Sequence, residues 1–244
     1  MRIAIISDIH GNFVALDAAL ADIDRADVDR IVCLGDVAAN GPQPRECISL
    51  LRDRKIPTVM GNTDEYLLKA EAFEATDERL KRIRDILQWS GIELTGNDRD
   101  FLTGFKPTLE FSLDPGDELL CFHGSPRSNE EVILATTPEK ELGPLLGDAH
   151  ASVMAGGHTH VQMLRRFRQS SIINPGSVGL PFEITEKGQR RPPWAEYAVV
   201  SGAPGNLDIK LRRINYNVEL LANAVRASGM PHGEWWLSGW TGYF

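Results

Sequence analysis

The chain has 244 residues, 42% of them hydrophobic, enough to bury one large core or two small ones, and a single domain over residues 1–244 is the reading favoured here. A formal net charge of −8 repels a nucleic-acid backbone and argues against long nucleic acid as a partner. No run approaches the roughly 18 apolar residues of a membrane span, and the first residues enter a strand pattern without a charged and apolar leader, so a cytoplasmic protein with no membrane partner is expected.

Along the chain, RIAIIS (2–7) is an apolar β-type run that ends in Asp8-Ile9-His10-Gly11, and NFVALDAALADI (12–23) repeats apolar residues at helical spacing. The unit recurs. RIVCLG (30–35) runs into Asp36, then a Gly-Pro turn and a helix from about Pro44 to Arg54, and PTVM (57–60) predicts a third short strand ending at Gly61. Strands alternating with helices imply a parallel sheet, with functional groups gathered at the carboxyl ends of its strands. The stretch after Asp64 to about Leu87 is charged and helical and carries no site-like residues, and a second short helix begins near Asn97 or Asp98, before Gly104. Residues 64–104 are therefore expected to form a cap-like segment.

From Thr108 the pattern changes to strands. TLEFSL (108–113) and ELLCFHG (118–124) are joined by a turn at Asp114-Pro115-Gly116, a helix follows near Glu139 to Leu146, and then ASVMAGGHTH (151–160). Further strands are expected at LRRF (164–167), SIINPGS (171–177), EYAVVS (196–201) and LDIKLRRI (207–214), which suggests a second, more antiparallel sheet packed on the first. Asn217 suits the N-cap of VELLANAVRAS (218–228), and Gly229 its stop. The tail, MPHGEWWLSGWTGYF (230–244), holds three of the five tryptophans with Tyr243 and Phe244. It is too aromatic for a disordered segment and is expected to pack on its own domain or to form a homo-oligomer contact.

Cys33, Cys47 and Cys121 are odd in number and form no CxxC pair, so neither a disulfide frame nor a thiolate zinc site is expected. Three short basic clusters, at Arg165, Arg166 and Arg168, at Arg190 and Arg191, and at Arg212 and Arg213, read as solvated faces and strand edges. The histidines are more informative. Four of six fall at strand exits in glycine-containing loops, while His150 and His232 read as surface residues. Five segments thus end an apolar run with a metal-competent side chain: Asp8 and His10, Asp36, Asn62, His123, and His158 with His160. Imidazole and carboxylate without thiolate suit manganese, iron, cobalt, nickel or zinc better than calcium. Seven groups are too many for one tetrahedral centre but fit two ions sharing a carboxylate and a solvent bridge. Such a pair, about 3.5–4 Å apart, clamps the attacking and leaving oxygens of a phosphoryl group, with the shared hydroxide as nucleophile.

Asp8-Ile9-His10, Gly35-Asp36, Gly61-Asn62-Thr63-Asp64, His123-Gly124 and Gly157-His158-Thr159-His160, in that order, resemble the five motif blocks of the calcineurin-like metallophosphoesterases. The likeness covers roughly residues 1–215, including NPGSVGLP (174–181), and is narrower to the small bacterial and archaeal phosphodiesterases of that superfamily. It implies an α/β fold, a four-layer α-β-β-α sandwich of two mixed sheets flanked by helices. It also implies two divalent ions, manganese first, one held by Asp8, His10, Asp36 and His160 and the other by Asp36, Asn62, His123 and His158. Asp36 would bridge, and Asn62 would also orient substrate.

One position departs from the pattern. Many members carry a histidine between the asparagine and the acid of the third block, where it protonates the leaving oxygen and the acid orients it. Here Thr63 precedes Asp64. The expected catalytic set is Asp36, Asn62, Asp64 and His123, acting on a small phosphoester, with a phosphodiesterase preferred to a phosphomonoesterase. The alternatives are a nucleotide or dinucleotide hydrolase at the same centre and a non-catalytic protein-binding scaffold on the same fold, like the related retromer subunit.

Overall fold

The structure, a computed structural model, describes residues 1–69, 74–114, 116–186, 188–203 and 206–240. In chain order it begins with β1 (Arg2–Ile6), α1 (Phe13–Ile23), β2 (Arg30–Cys33), α2 (Pro44–Asp53), α3 (Asn62–Lys69), α4 (Glu78–Glu93) and α5 (Gly96–Thr103). There follow β3 (Leu109–Asp114), β4 (Asp117–Cys121), α6 (Glu139–Leu146), β5 (Val153–Ala155), β6 (Met163–Phe167) and β7 (Ser170–Asn174). The last elements are β8 (Glu183–Thr185), β9 (Gly188–Arg190), β10 (Trp194–Ala203), β11 (Asn206–Asn215), α7 (Val218–Ser228) and α8 (Gly233–Leu237), with a 3-10 turn over Ser238–Trp240.

Successive side chains of a strand point to opposite faces, and both faces of β1 are apolar and buried. Ala4 and Ile6 meet the helices, whereas Ile3 and Ile5 meet the second sheet, so β1 has to lie inside a sheet covered on both sides. It does so in the order β11-β10-β1-β2. The second sheet has the order β3-β4-β5-β7-β6, and β8 and β9 form a separate hairpin. Between the sheets lie Ile3, Ile5, Val32, Leu119, Val153, Ile173 and Val200, each fully buried and each contributing about 1.5–3 kcal/mol of apolar burial. Outside the first sheet, α1, α2 and α7 pack on Ala4, Ile6, Tyr197 and Val199. Outside the second, Leu142 and Leu146 of α6 pack on Leu120, Met154 and Ile172. The result is a four-layer α-β-β-α sandwich of two mixed sheets.

Two strand expectations change. EYAVVS and LDIKLRRI, expected in the second sheet, form β10 and β11 and close the first, with β10 antiparallel to β1 from Arg2↔Ser201 to Ile5↔Ala198. Their apolar alternation matches that of β1, with Tyr197 and Val199 towards the helices and Ala198 and Val200 towards the other sheet. PTVM makes only isolated bridges, Cys33↔Thr58 and Val59↔Lys106, because the chain turns into α3 immediately after Gly61. Pro115 of the expected turn, and Tyr243 and Phe244 of the tail, lie outside the described residues. Among the described residues no helix is long and apolar enough to cross a membrane. The caps act as read, Asn217 Oδ1 accepting from the N–H of Glu219 at 2.9 Å, and Gly229 stopping α7 at φ 74°.

Candidate metal centre

The loops that leave β1, β2 and β5 hold their functional residues in strained backbone. Asp8, His10, Asp36, His158 and His160 have φ of 53°, 48°, 56°, 67° and 57°, a left-handed region that costs a non-glycine residue about 1–2 kcal/mol. Such strain persists only where the surroundings over-determine it. Here the first two loops stay paired beyond their strands, Asp8 N–H donating to Gly35 O at 3.0 Å and His10 N–H to Asp36 O at 2.9 Å. Asn174 Nδ2 donates to Gly157 O at 2.6 Å, and Ser177 Oγ to Asp8 O at 2.7 Å, so the NPGSVGLP segment braces both histidine loops. Glycine is needed at Gly61, where a Cβ would run into Asp36, and at Gly157, where it would run into Ser7 Oγ and Asp8.

On this frame three imidazoles are fixed the same way. His10 Nδ1 lies 3.1 Å from Ala39 O, His160 Nδ1 2.9 Å from Leu180 O and His123 Nδ1 2.7 Å from Leu34 O. A carbonyl oxygen only accepts, so Nδ1 carries the ring proton and each Nε2 presents a lone pair. Those lone pairs converge. His10 Nε2 and His160 Nε2 are 3.1 Å apart, and Asp8 Oδ1, buried and accepting no hydrogen bond, lies 3.3 Å from His160 Nε2. On the other side Asn62 Oδ1 is 3.0 Å from both His123 Nε2 and His158 Nδ1. Asp36 stands between the two groups, Oδ2 at 3.5 Å from His10 Nε2 and Oδ1 at 3.6 Å from His123 Nε2. Acceptors packed face to face in a buried site repel one another unless a cation shares them, so this donor set fits divalent metal. Asp8 with His10 and His160, and Asp8 with Asp36 and His123, each bring their ligand atoms within 4.8 Å of one another.

The electrostatics agree. Burial opposes ionisation of Asp8, but the facing His160, His123 and His10 rings outweigh it and hold the carboxyl well below the usual range. Burial pulls His10 down to about 4 against the attraction of Asp36, and also lowers His158. At His160 burial is outweighed by Asp8, and the ring is raised. The neutral His10 and His158 rings and the ionised Asp8 are in the protonation state that metal ligation requires, whereas the raised His160 would have to give up its Nε2 proton to a metal.

The structure brings Asp8, His10, Asp36, Asn62, His123, His158 and His160 to one place. Asp64 belongs elsewhere: fully buried beneath the site, its Oδ2 accepts from the N–H of Asp36 at 2.8 Å and of Gly61 at 3.2 Å, and its Oδ1 from Val37 at 2.9 Å. Its oxygens are committed to main chain, so it shapes the Asp36 loop rather than orienting a proton donor. Burial first, then the Asp36 charge, push it up to about 7. Thr63 N–H donates to Asp36 Oδ1 at 2.9 Å, while its buried hydroxyl has no partner. His232, read as a surface residue, hydrogen-bonds Asp85 of α4 at 2.9 Å and ties the tail to that helix.

Above the centre lies a pocket of about 340 Å³ whose wall comes from three distant segments. Arg79, Ile83 and Ile86 of α4 face it from one side, and Phe182, Gln189, Arg191, Trp235 and Trp236 from the other. None of these was singled out as a site residue by sequence; the density of tryptophan in the tail was the available signal, and the pair Arg190-Arg191 was read as solvated. Trp236 and Trp240 are buried in the chain's own core, Trp236 Nε1 donating to Asn40 O at 2.8 Å and Trp240 Nε1 to Tyr216 Oη at 2.9 Å. A larger cleft of about 620 Å³, around Asp29, Arg30 and Arg54 at the other end of β2, contains none of the clustered residues.

A family model described as the calcineurin-like phosphoesterase superfamily domain matches residues 1–201. The chain is 28% identical to a metallophosphoesterase of known structure from Sphaerobacter thermophilus, covering 98% of this chain and 97% of that one with a TM-score of 0.74. A hypothetical protein of Pyrococcus horikoshii, 19% identical, has the same fold, with a TM-score of 0.78 over 94% of each chain. An uncharacterized protein of Methanocaldococcus jannaschii is 25% identical over an alignment of 250 positions that covers 96% of this chain and 94% of that one.

Proposed function

The chain belongs to the calcineurin-like phosphoesterase superfamily and is a metal-dependent phosphoester hydrolase, and we propose that it is a phosphodiesterase working with two divalent ions, manganese first. The observation that carries the reading is the convergence of Nε2 atoms on the carboxylate oxygens of Asp8 and Asp36 in two adjoining groups, Asp8 Oδ1 having no hydrogen-bond donor of its own. Asp8, His10, Asp36 and His160 would hold one ion, and Asp36, Asn62, His123 and His158 the other. Asp36 has one oxygen towards each group, as a bridging ligand needs. Bound there, such ions supply charge neutralisation at the phosphoryl oxygens and an ionised water as nucleophile.

The chain's own groups do the rest. The backbone carbonyls of Ala39, Leu34 and Leu180 fix the tautomer and orientation of three rings, as outer partners of metal ligands do. Thr63 pins Asp36 through its N–H. Among the described residues, the pocket lining contains, apart from the proposed ligands, no histidine or carboxyl that could protonate a leaving alkoxide. General-acid help is typically worth about 10²–10⁴-fold, so diesters and activated esters are the expected substrates, ahead of alkyl monoesters. We read residues 1–244 as one domain in which the helices of about 64–104 cover the centre.

Reconstitution with manganese followed by elemental analysis should give two ions per chain, and the loaded protein should turn over bis-nitrophenyl phosphate much faster than alkyl monoesters. At most one ion per chain would remove the two-ion reading. Equal rates on the two substrate types would mean that another acid serves the site. Thr63→His should raise activity on poor leaving groups more than on good ones.

A further inference from the structure

The wall of the pocket carries two cations that the proposed chemistry does not use. Arg79 projects from the first turn of α4 and, among the described residues, makes no ion pair or hydrogen bond. Arg191 is the better built of the two. Its guanidinium lies 5.0 Å from the ring centre of Trp236 and 4.8 Å from that of Trp240, its Nη1 donates to Trp236 O at 3.3 Å, and its main-chain N–H donates to Gly239 O at 2.8 Å. Stacking holds the planar fork in place while leaving most of its five N–H donors uncommitted. Burial pulls Arg191 down to about 10, with Tyr216 opposing and the nearby charge of Arg79 adding to the fall.

Two like charges beside one cavity are unfavourable unless an anion joins them. Asp36, on the floor, is the one carboxylate in the pocket lining among the described residues, and it is committed to the metal centre. In a chain of net charge −8 this is a local basic site, set in an aromatic wall of Phe182, Trp235 and Trp236. We propose that Arg79 and Arg191 bind a second anionic group of the substrate, so that the enzyme acts on phosphoesters carrying a further phosphate or carboxylate beyond the ester it cleaves. The inference rests on the phosphodiesterase reading above and specifies its substrate class. The guanidiniums touch the substrate away from the reacting atoms, and their contribution falls on recognition.

The test compares manganese-loaded protein on three chromogenic esters with one leaving group. These are thymidine 5′-(p-nitrophenyl phosphate), the same compound with a 3′-phosphate, and the same compound with a 3′-hemisuccinate. Wild type should favour an anionic compound over the plain ester by about tenfold or more in kcat/KM, mostly through KM, and the preferred arm identifies phosphate or carboxylate as the group held. In Arg79→Gln that preference should fall about tenfold, whereas Arg79→Lys should retain part of it. Arg79 is exposed, so neither change threatens the fold. Arg191→Lys, checked for unchanged Tm, should weaken the preference as well. Wild type that cleaves all three esters with similar KM overturns the anion site while leaving the phosphodiesterase reading intact. Loss of the preference in neither Arg79 variant overturns it equally. Wild type that cleaves none of the esters sinks the phosphodiesterase reading itself.

Discussion

The floor and the wall of the pocket are built in opposite ways. The floor comes from loops at the ends of β1, β2 and β5, where ligand residues sit in left-handed backbone and are locked by main-chain hydrogen bonds, with Asp8, His10 and Asp36 almost fully removed from solvent. The wall comes from α4, the segment around Arg191 and the tail, where Arg82 lies over Trp235, Arg191 over Trp236 and Trp240, and His232 hydrogen-bonds Asp85, residues far apart in the sequence joined by stacking and a few polar contacts. A floor of this kind fixes atoms to within a fraction of an ångström, as chemistry demands, whereas the wall supplies shape and charge and tolerates change. Damage to the floor should therefore appear in metal content and kcat, and damage to the wall in KM and stability.

The largest expected effect is on the floor. Asp36→Asn removes the carboxylate that stands between the two groups, and should lower metal content below one ion per chain and kcat/KM on the order of 10³-fold, while the far-UV spectrum stays unchanged. His10→Ala should mainly disturb one ion. If the two variants lose metal equally, Asp36 is no bridge. Next comes the wall. Trp236→Ala empties a site that is 3% exposed and removes one face of the Arg191 stack, so a loss of about 3–5 kcal/mol is expected in denaturant unfolding. The surviving folded protein should still bind two ions but show a raised KM. Metal loss in Trp236→Ala comparable with that in Asp36→Asn would erase the distinction between the regions.

The same contrast explains what could be read in the sequence. Asp8, Asp36, His123 and His158 each follow an apolar run by one to three positions, so period-two burial and strand exits locate them without knowledge of packing. Asp64 was legible as a neighbour of the site but not in its role, because accepting three main-chain N–H groups depends on how the Asp36 loop folds over it. Arg79 and Arg191 were not legible at all. An arginine on a charged helix and one in an Arg-Arg pair look solvated until the chain brings them to one cavity. The edge of the first sheet was misassigned for a related reason, since β10 alternates apolar faces as any strand of either sheet does, and only pairing with β1 decides between them.

Next in expected size, below Trp236→Ala, stands Asp64→Ala. It leaves the buried N–H groups of Asp36, Gly61 and Val37 without an acceptor, which should cost about 1–3 kcal/mol and reduce metal affinity through disorder of the Asp36 loop. Unfolding midpoints with and without manganese separate the two contributions. A variant that is destabilised but binds metal with wild-type affinity would show that the loop is held by its other contacts.

The smallest effect concerns α5, which packs on α2 and on α3, the helix that begins with Asn62 and Thr63, and so joins floor to cap. Asp98 closes the capping box of that helix, accepting from Thr95 N–H at 3.0 Å and from Thr95 Oγ1 at 2.6 Å, and it faces Arg52 of α2 at 3.2 Å. Burial opposes its ionisation, but the Thr95 hydroxyl and N–H and the Arg52 guanidinium outweigh burial and lower its pKa. The sign follows: a carboxyl with a depressed folded pKa stabilises the native state above its unfolded value, near 3.9, and that contribution disappears as pH falls through the folded value. Asp98→Asn should therefore cost about 0.5–2 kcal/mol at neutral pH, in the range of a lost helix cap, and the gap to wild type should close in acid. Kinetic constants on a plain diester should change less than in any variant above, because α5 reaches the centre only through α3. A gap in unfolding free energy that stays constant from pH 7 to pH 3 would show that Asp98 acts through shape alone, and a fall in kcat comparable with that of Asp36→Asn would place α5 with the floor.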